Sequence, residues 1–312
     1  MNSRADGVED LLVEGPWTHR FVAANGARFH VAEQGDGPLV LLLHGFPQFW
    51  WMWRHQLPVL AEAGFRAAAL DLRGFGASDR TPRGHDTFTA SRDVAAVVRS
   101  LGADDAVVVG HGLGGWIAWA TAYLQPREVR GLVSICMPHP RVLRTSLLSS
   151  PRQFLAGRYL AGMQTPFLPE REMIKDGYVA SRLASGSRSP DFPSEEEVAR
   201  YTAALAQPFV AACAAEHYRW LVRSQLRPSG WQLAGALKSR LPMDVLTLHG
   251  AQDPVVLPGL MPRSASYVAG TFSAHLLPGV GHFVPEEAPG LTSKLLLHWL
   301  EEQGDRDEVM PS

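Results

Sequence analysis

The apolar run Ala106-Val107-Val108-Val109 leads straight into Gly110-His111-Gly112-Leu113-Gly114, and Trp116-Ile117-Ala118-Trp119 follows at once. A strand, a pentapeptide with small residues at both ends and a helix imply a turn so tight that neighbouring backbones nearly touch. Gly110 and Gly114 suit the crowded ends, and the centre needs a φ that glycine adopts without strain. Gly112 therefore satisfies the turn sterically while leaving its centre without a side chain. Relief of a strained φ is worth about 1 kcal/mol or more, so stability alone accounts for a glycine there. What the turn is for has to be read from the residues around it.

Two of those residues lie far along the chain. Asp253 follows the apolar strand Leu246-Thr247-Leu248-His249 in a Gly-containing loop, where a carboxylate can orient a histidine. His282 lies in the Gly-rich segment Pro278-Gly279-Val280-Gly281-His282-Phe283, ahead of a helix led by Pro289. Either residue alone is ordinary. The order turn, Asp, His is that of the α/β-hydrolases, in which the turn is the nucleophile elbow and its middle residue is usually Ser, Cys or Asp. Here that residue is Gly112, which has nothing to attack with.

A chain of 312 residues buries a large core and has room for an inserted subdomain. Its net charge of -2 implies neither nucleic acid nor an anionic membrane as partner. No segment is long and apolar enough to span a bilayer, and Met1 to Asp10 lacks the pattern of a signal peptide, so a cytoplasmic protein is expected. Cys136, at a strand end, and Cys213, in an Ala-rich helical stretch, look like small buried apolar residues. Two such cysteines give no basis for a disulfide or a metal site, and with no P-loop and no GxGxxG, no cofactor is expected.

Strand-like runs fall at Arg28 to Glu33, Pro38 to Leu43, Arg66 to Asp71, Ala106 to Gly110, Gly131 to Cys136 and Met243 to His249. Several are continuously apolar, as in a parallel sheet covered on both faces. Helical stretches alternate with them, as at Thr89 to Leu101, with Arg92, Asp93 and Arg99 outside and Val94, Val97, Val98 and Leu101 inside. This is the doubly wound α/β pattern. It breaks from Pro140 to Leu241, where no strand is expected but a capping box is, at Ser194-Glu195-Glu196-Glu197. The economical division is a first core part (1–139), a helical lid (140–241), a second core part (242–303) and a flexible, solvated tail (304–312).

His44-Gly45-Phe46-Pro47, the run Asp71 to Asp79 and the Gly281-His282-Phe283 loop resemble the epoxide hydrolase branch of the α/β-hydrolase fold, alongside haloalkane dehalogenases. The resemblance runs from about Phe21 to Leu300. It implies that two lid tyrosines bind and protonate the epoxide oxygen. Tyr159, five residues before Gln164-Thr165-Pro166, and Tyr218, in His217-Tyr218-Arg219-Trp220, stand in matching contexts. The peptide N–H groups of Phe46 and Leu113 are candidates for an oxyanion hole. Arg73 and Asp79 suit bracing of their loop, and Trp50, Trp51 and Trp53 suit an apolar substrate pocket.

In the mechanism the resemblance implies, an elbow Asp forms an ester that water, activated by the His–Asp pair, then hydrolyses. Gly112 removes the first half, and His111, one place early and pointing away from the cleft, is a poor substitute. Three readings stay open. The first is direct hydrolysis of an epoxide on a small to medium apolar molecule by water that His282 deprotonates with Asp253 as orienter. The second is a general-base isomerase, lyase or cyclase that needs no nucleophile. The third is a non-catalytic binding protein with a lidded apolar pocket. Oligomeric state is not legible.

Overall fold

A computed structural model describes residues 6–309. One sheet is built from β1 (Thr18–Ala24), β2 (Ala27–Gln34), β3 (Leu39–Leu43), β4 (Arg66–Leu70), β5 (Ala106–His111), β6 (Val129–Ile135), β7 (Val245–Gly250) and β8 (Phe272–Leu277). They run in the spatial order β1-β2-β4-β3-β5-β6-β7-β8. The β1–β2 and β2–β4 pairs are antiparallel and every later pair is parallel. This is the expected α/β-hydrolase architecture.

β3 and β5 are buried along their whole length. Such runs need helices on both faces of the sheet, because a parallel strand has no solvated side. The helix Leu113–Leu124 covers one of them with a sequence apolar on nearly every side. The helix Thr87–Ser100 is capped by the Asp86 carboxylate, which accepts from the Thr89 N–H.

Asp93 departs from expectation, for it points inward. Its carboxylate is held by the Arg73 guanidinium at 2.7 and 2.6 Å and by the Asn25 amide at 2.6 Å, which satisfies it inside the fold. Arg73 thus braces its loop as expected, and Asp79 does so by accepting from the Arg28 N–H at 2.8 Å.

Two strands carry weak sequence signals. β1 is largely exposed and is tied to β2 by Asn25-Gly26, both at positive φ, the pair favoured in tight hairpins. β8 is the far edge strand and buries little besides Leu277, so no alternation announces it.

Between β6 and β7 the chain is helical. The Ser194 capping box is formed, with the Ser194 hydroxyl accepting from the Glu197 N–H and the Glu197 carboxylate accepting from that of Ser194. The last helix runs Pro289–Val309. Its backbone continues through residues 304–309 of the expected tail, and 310–312 lie outside the described residues. Among the described residues no helix is long and apolar enough to cross a membrane.

Candidate active site

The strands β3, β5, β7 and β8 all deliver their following loops to one edge of the sheet, the edge at which open α/β sheets bind ligands. At the end of β5, Gly112 takes φ 53° and ψ −114°, and the helix begins at Leu113. The Gly112 N–H donates to the Ile135 carbonyl at 3.1 Å, and its carbonyl accepts from the Trp116 N–H at 3.0 Å. A Cβ on Gly110 would lie 2.2 Å from the Gly114 carbonyl oxygen, and one on Gly114 would lie 2.3 Å from that of Leu43. Both ends of the pentapeptide must therefore be glycine. The middle is different: a Cβ on Gly112 would meet only His282 Nε2 at 3.6 Å and Gly45 Cα at 3.8 Å, ordinary van der Waals separations. The direction in which a side chain would leave Gly112 points at the His282 ring.

His282 donates from Nδ1 to Asp253 Oδ2 at 2.8 Å. That bond fixes the tautomer and leaves Nε2, on the Gly112 side, with its lone pair. Asp253 is itself immobilised, since its Oδ1 accepts from the N–H groups of Val255 at 2.7 Å and Val256 at 3.0 Å. Burial pushes the Asp253 carboxyl up, but the imidazoles of His282 and His249 outweigh it and hold the group well below the usual carboxylate range. His249 was not foreseen. Its Nε2 donates to the Val256 carbonyl at 2.8 Å and lies 3.2 Å from Asp253 Oδ2, so it backs the aspartate from behind. Its spacing four residues before Asp253 was the available signal.

A cavity of about 360 Å³ brings together Gly112, His282, Phe46, Leu113, Tyr159 and Tyr218. Tyr159 and Tyr218 come from the helical insert and meet edge to face, with ring centroids 5.7 Å apart. Burial raises both phenols, against a smaller opposing effect of Arg182, and Tyr218 stands well above the ordinary value. Both are therefore neutral donors at physiological pH. Leu113 is the first residue of its helix, where an N–H has no acceptor within the helix. Among the described residues the Phe46 N–H also has no partner. Phe46 and Leu113 both line the cavity.

The tryptophans are a correction. Trp50, Trp51 and Trp53 lie in a 3-10 turn and are 0, 5 and 0 % exposed. None contributes to the cavity wall. Asp71 Oδ1 accepts from the Trp50 N–H at 2.8 Å, tying the turn to the core. The Trp50 indole then donates to the Leu11 carbonyl, and the Trp51 ring lies beneath the Arg54 guanidinium. The apolar wall comes instead from Trp116, Met137, Leu143, Leu147, Leu221 and Val256. Sequence reading also passed over Arg182, whose guanidinium lies 4.5 Å from the centre of the Tyr159 ring at the cavity.

His111 is fully buried and donates from Nε2 to the His282 carbonyl at 2.8 Å. Burial, reinforced by His282, brings it down to about 3, so it is a neutral prop for the His282 loop. Among the described residues two buried groups bring metal-ligating atoms within 4.8 Å of one another: His111, Cys136 and His282, and Cys136, His249 and Asp253. The bonds of His111 to the His282 loop, and of Asp253 to both histidines, already give these side chains protein partners.

The alpha/beta hydrolase fold family matches residues 38–289. A member of the AB hydrolase superfamily from Bacillus subtilis, YfhM, is 32% identical over 292 residues, covering 91% of this chain and 98% of its own. Epoxide hydrolase 3 of Xenopus tropicalis is 31% identical, over 89% of this chain and 76% of its own. Among solved structures, an epoxide hydrolase from an endophytic Streptomyces superimposes with a TM-score of 0.81 at 28% identity, over 94% of this chain and 97% of its own. The chain belongs to the alpha/beta hydrolase fold family. Within that family it falls in the epoxide hydrolase-like branch.

Proposed function

We propose that this protein hydrolyses an epoxide on a small to medium apolar molecule, with water as the direct nucleophile. Residues 140–241 act as the lid that carries the two tyrosines over the site. In the ring-opening step His282 Nε2 takes a proton from a water lying beside Gly112, and the water oxygen attacks an epoxide carbon. The carbon–oxygen bond breaks, and the ring oxygen receives a proton from Tyr159 or Tyr218. The proton held on His282 returns to the tyrosinate through solvent, and the product is a vicinal diol. Asp253 keeps the imidazole in the required tautomer and stabilises its charged form.

The observation that carries this reading is that a base, the open side of Gly112 and two neutral phenols line one cavity. The relatives named as epoxide hydrolases support the choice of substrate chemistry. Gly112 also favours a second reading, a general-base isomerase, lyase or cyclase, because such chemistry needs no nucleophile at the turn.

The test is turnover of aromatic and aliphatic epoxides by the unmodified protein beside His282→Ala, with the diol analysed after reaction in H2(18O). Diol formation by the unmodified protein is expected, with a loss of about 10²- to 10⁴-fold in His282→Ala, the range of a positioned general base. Equal rates in both proteins would remove His282 from the mechanism. No diol from any epoxide in the panel would leave the general-base reading.

A further inference from the structure

Gly112 keeps the backbone of a nucleophile turn, with φ 53° and ψ −114°, yet carries no side chain. The space a side chain would enter is open, since the nearest atoms to a Cβ there are His282 Nε2 at 3.6 Å and Gly45 Cα at 3.8 Å. The His282 side chain is only 9 % exposed, and its Nε2 has no hydrogen-bond partner among the described residues. The Leu113 N–H, at the start of a 12-residue helix, and the Phe46 N–H stand at the same cavity. The charged side chains of the cavity wall are Arg144 and Arg182, and no carboxylate is among its lining residues. Free N–H donors at a helix N-terminus give the Gly112 end of this otherwise apolar cavity a place for a small anion.

We infer that the space beside Gly112 is also a binding site for a small monocarboxylate of the size of formate or acetate, which, when it takes the place of water there, acts in trans as a nucleophile and opens a second route beside direct attack by water. The chemistry rests on the reading that the cavity receives an epoxide, whereas the binding does not. In the first step a carboxylate oxygen attacks an epoxide carbon, the ring carbon–oxygen bond breaks, and the alkoxide takes the proton of Tyr159 or Tyr218. The product is a glycol monoester and a tyrosinate. In the second step His282 takes a proton from water, and the hydroxide adds to the ester carbonyl, whose oxyanion meets the Phe46 and Leu113 N–H groups. The glycol oxygen departs with the proton from His282, and the released acid returns its proton to the tyrosinate. The sum is epoxide plus water to diol, with the carboxylate regenerated.

Two measurements test it. The first is binding of 13C-formate to the unmodified protein by NMR line broadening, beside Gly112→Ala, whose methyl group enters the same space. Saturable broadening that the alanine abolishes is expected, and non-saturable or unchanged broadening overturns the site. The second uses the unmodified protein alone and so does not depend on the variant folding. Styrene oxide is turned over with and without [18O2]formate, in a buffer free of other carboxylates. A saturating rise of about tenfold or more, consistent with a held nucleophile, and 18O from formate in the diol are expected. Diol that carries oxygen from water only, at a rate formate does not raise, overturns the role in trans while supporting direct water attack. Formate binding without diol under any condition overturns the epoxide chemistry and supports the anion site.

Discussion

At the scale of single residues, Gly112 sets what the site can do. Asp253 and His282 are aligned at 2.8 Å, the tyrosines are neutral, and the one departure from a nucleophilic site is a hydrogen atom in place of a side chain. Gly112→Asp is therefore expected to add a route through a covalent ester. Its Cβ enters the space 3.6 Å from His282 Nε2 without a clash. Holding the nucleophile in place is worth several kcal/mol, so a rise of at least about 10²-fold in diol formation is expected, with a trapped ester visible by mass spectrometry. The cost is an L residue at φ 53°, about 1–3 kcal/mol of stability. No ester and no gain in rate would mean that the turn does not aim a side chain at bound substrate. Gly112, Asp253, His282 and both tyrosines were legible because each sits in a local motif. Arg182 and His249 act through tertiary neighbours, which no local pattern specifies. The Trp50 to Trp53 cluster misled because aromatic content alone does not say which way a 3-10 turn faces.

At the scale of elements, the helical insert is anchored to the sheet domain by a buried polar network. Arg54, just after the tryptophan turn, reaches Glu286 at 2.6 Å in the short helix Val284–Glu287 and Glu197 on the insert helix Glu195–Leu205. Tyr201 from the same helix and Gln48 also donate to the Glu286 carboxylate. Burial raises the Glu286 carboxyl, and Arg54 only partly offsets that. Arg54→Met is expected to cost about 3–5 kcal/mol, because it strands an unpaired buried charge. The double variant Arg54→Met/Glu286→Met should lose less, since the uncompensated carboxylate goes too. Urea midpoints read both, and a double variant as unstable as the sum of two singles would contradict the pairing. None of this network follows from local pattern, as the side chains that bond to Glu286 lie at least 85 residues from it in sequence. The strands that were visible, β3 and β5 among them, are buried on both faces and so read as apolar runs. β1 and β8 were missed because exposed strands carry no such run.

At the scale of the whole molecule, the fold confines many histidines as neutral groups, and this fixes how it responds to acid. His111, His139 and His217 are each brought down to about 3, first by burial and then by a neighbour, His282, Arg141 and His85 respectively. In the unfolded chain a histidine titrates near 6.5. Between the two values the unfolded chain binds protons that the folded chain refuses, so stability falls as the pH is lowered through that window. The contribution is fully present above about pH 6.5 and is lost progressively on the way to 3. Asp71 and Asp253 are held below the usual carboxylate range, so their contribution has the same sign but is lost only further into acid, below about pH 4. Asp93 and Glu286, raised by burial, act in the opposite sense near the ordinary carboxylate range, which places the first loss with the histidines. Each buried histidine adds a slope of up to about 1.4 kcal/mol per pH unit inside its window. Urea midpoints taken at intervals from pH 7.5 to 4 should therefore decline from about pH 6.5 downward, before the carboxylates titrate. His217→Gln removes one titrating group and should flatten that decline. A curve level down to pH 4.5, or an unchanged slope in His217→Gln, would mean that these histidines take up protons without opening the fold.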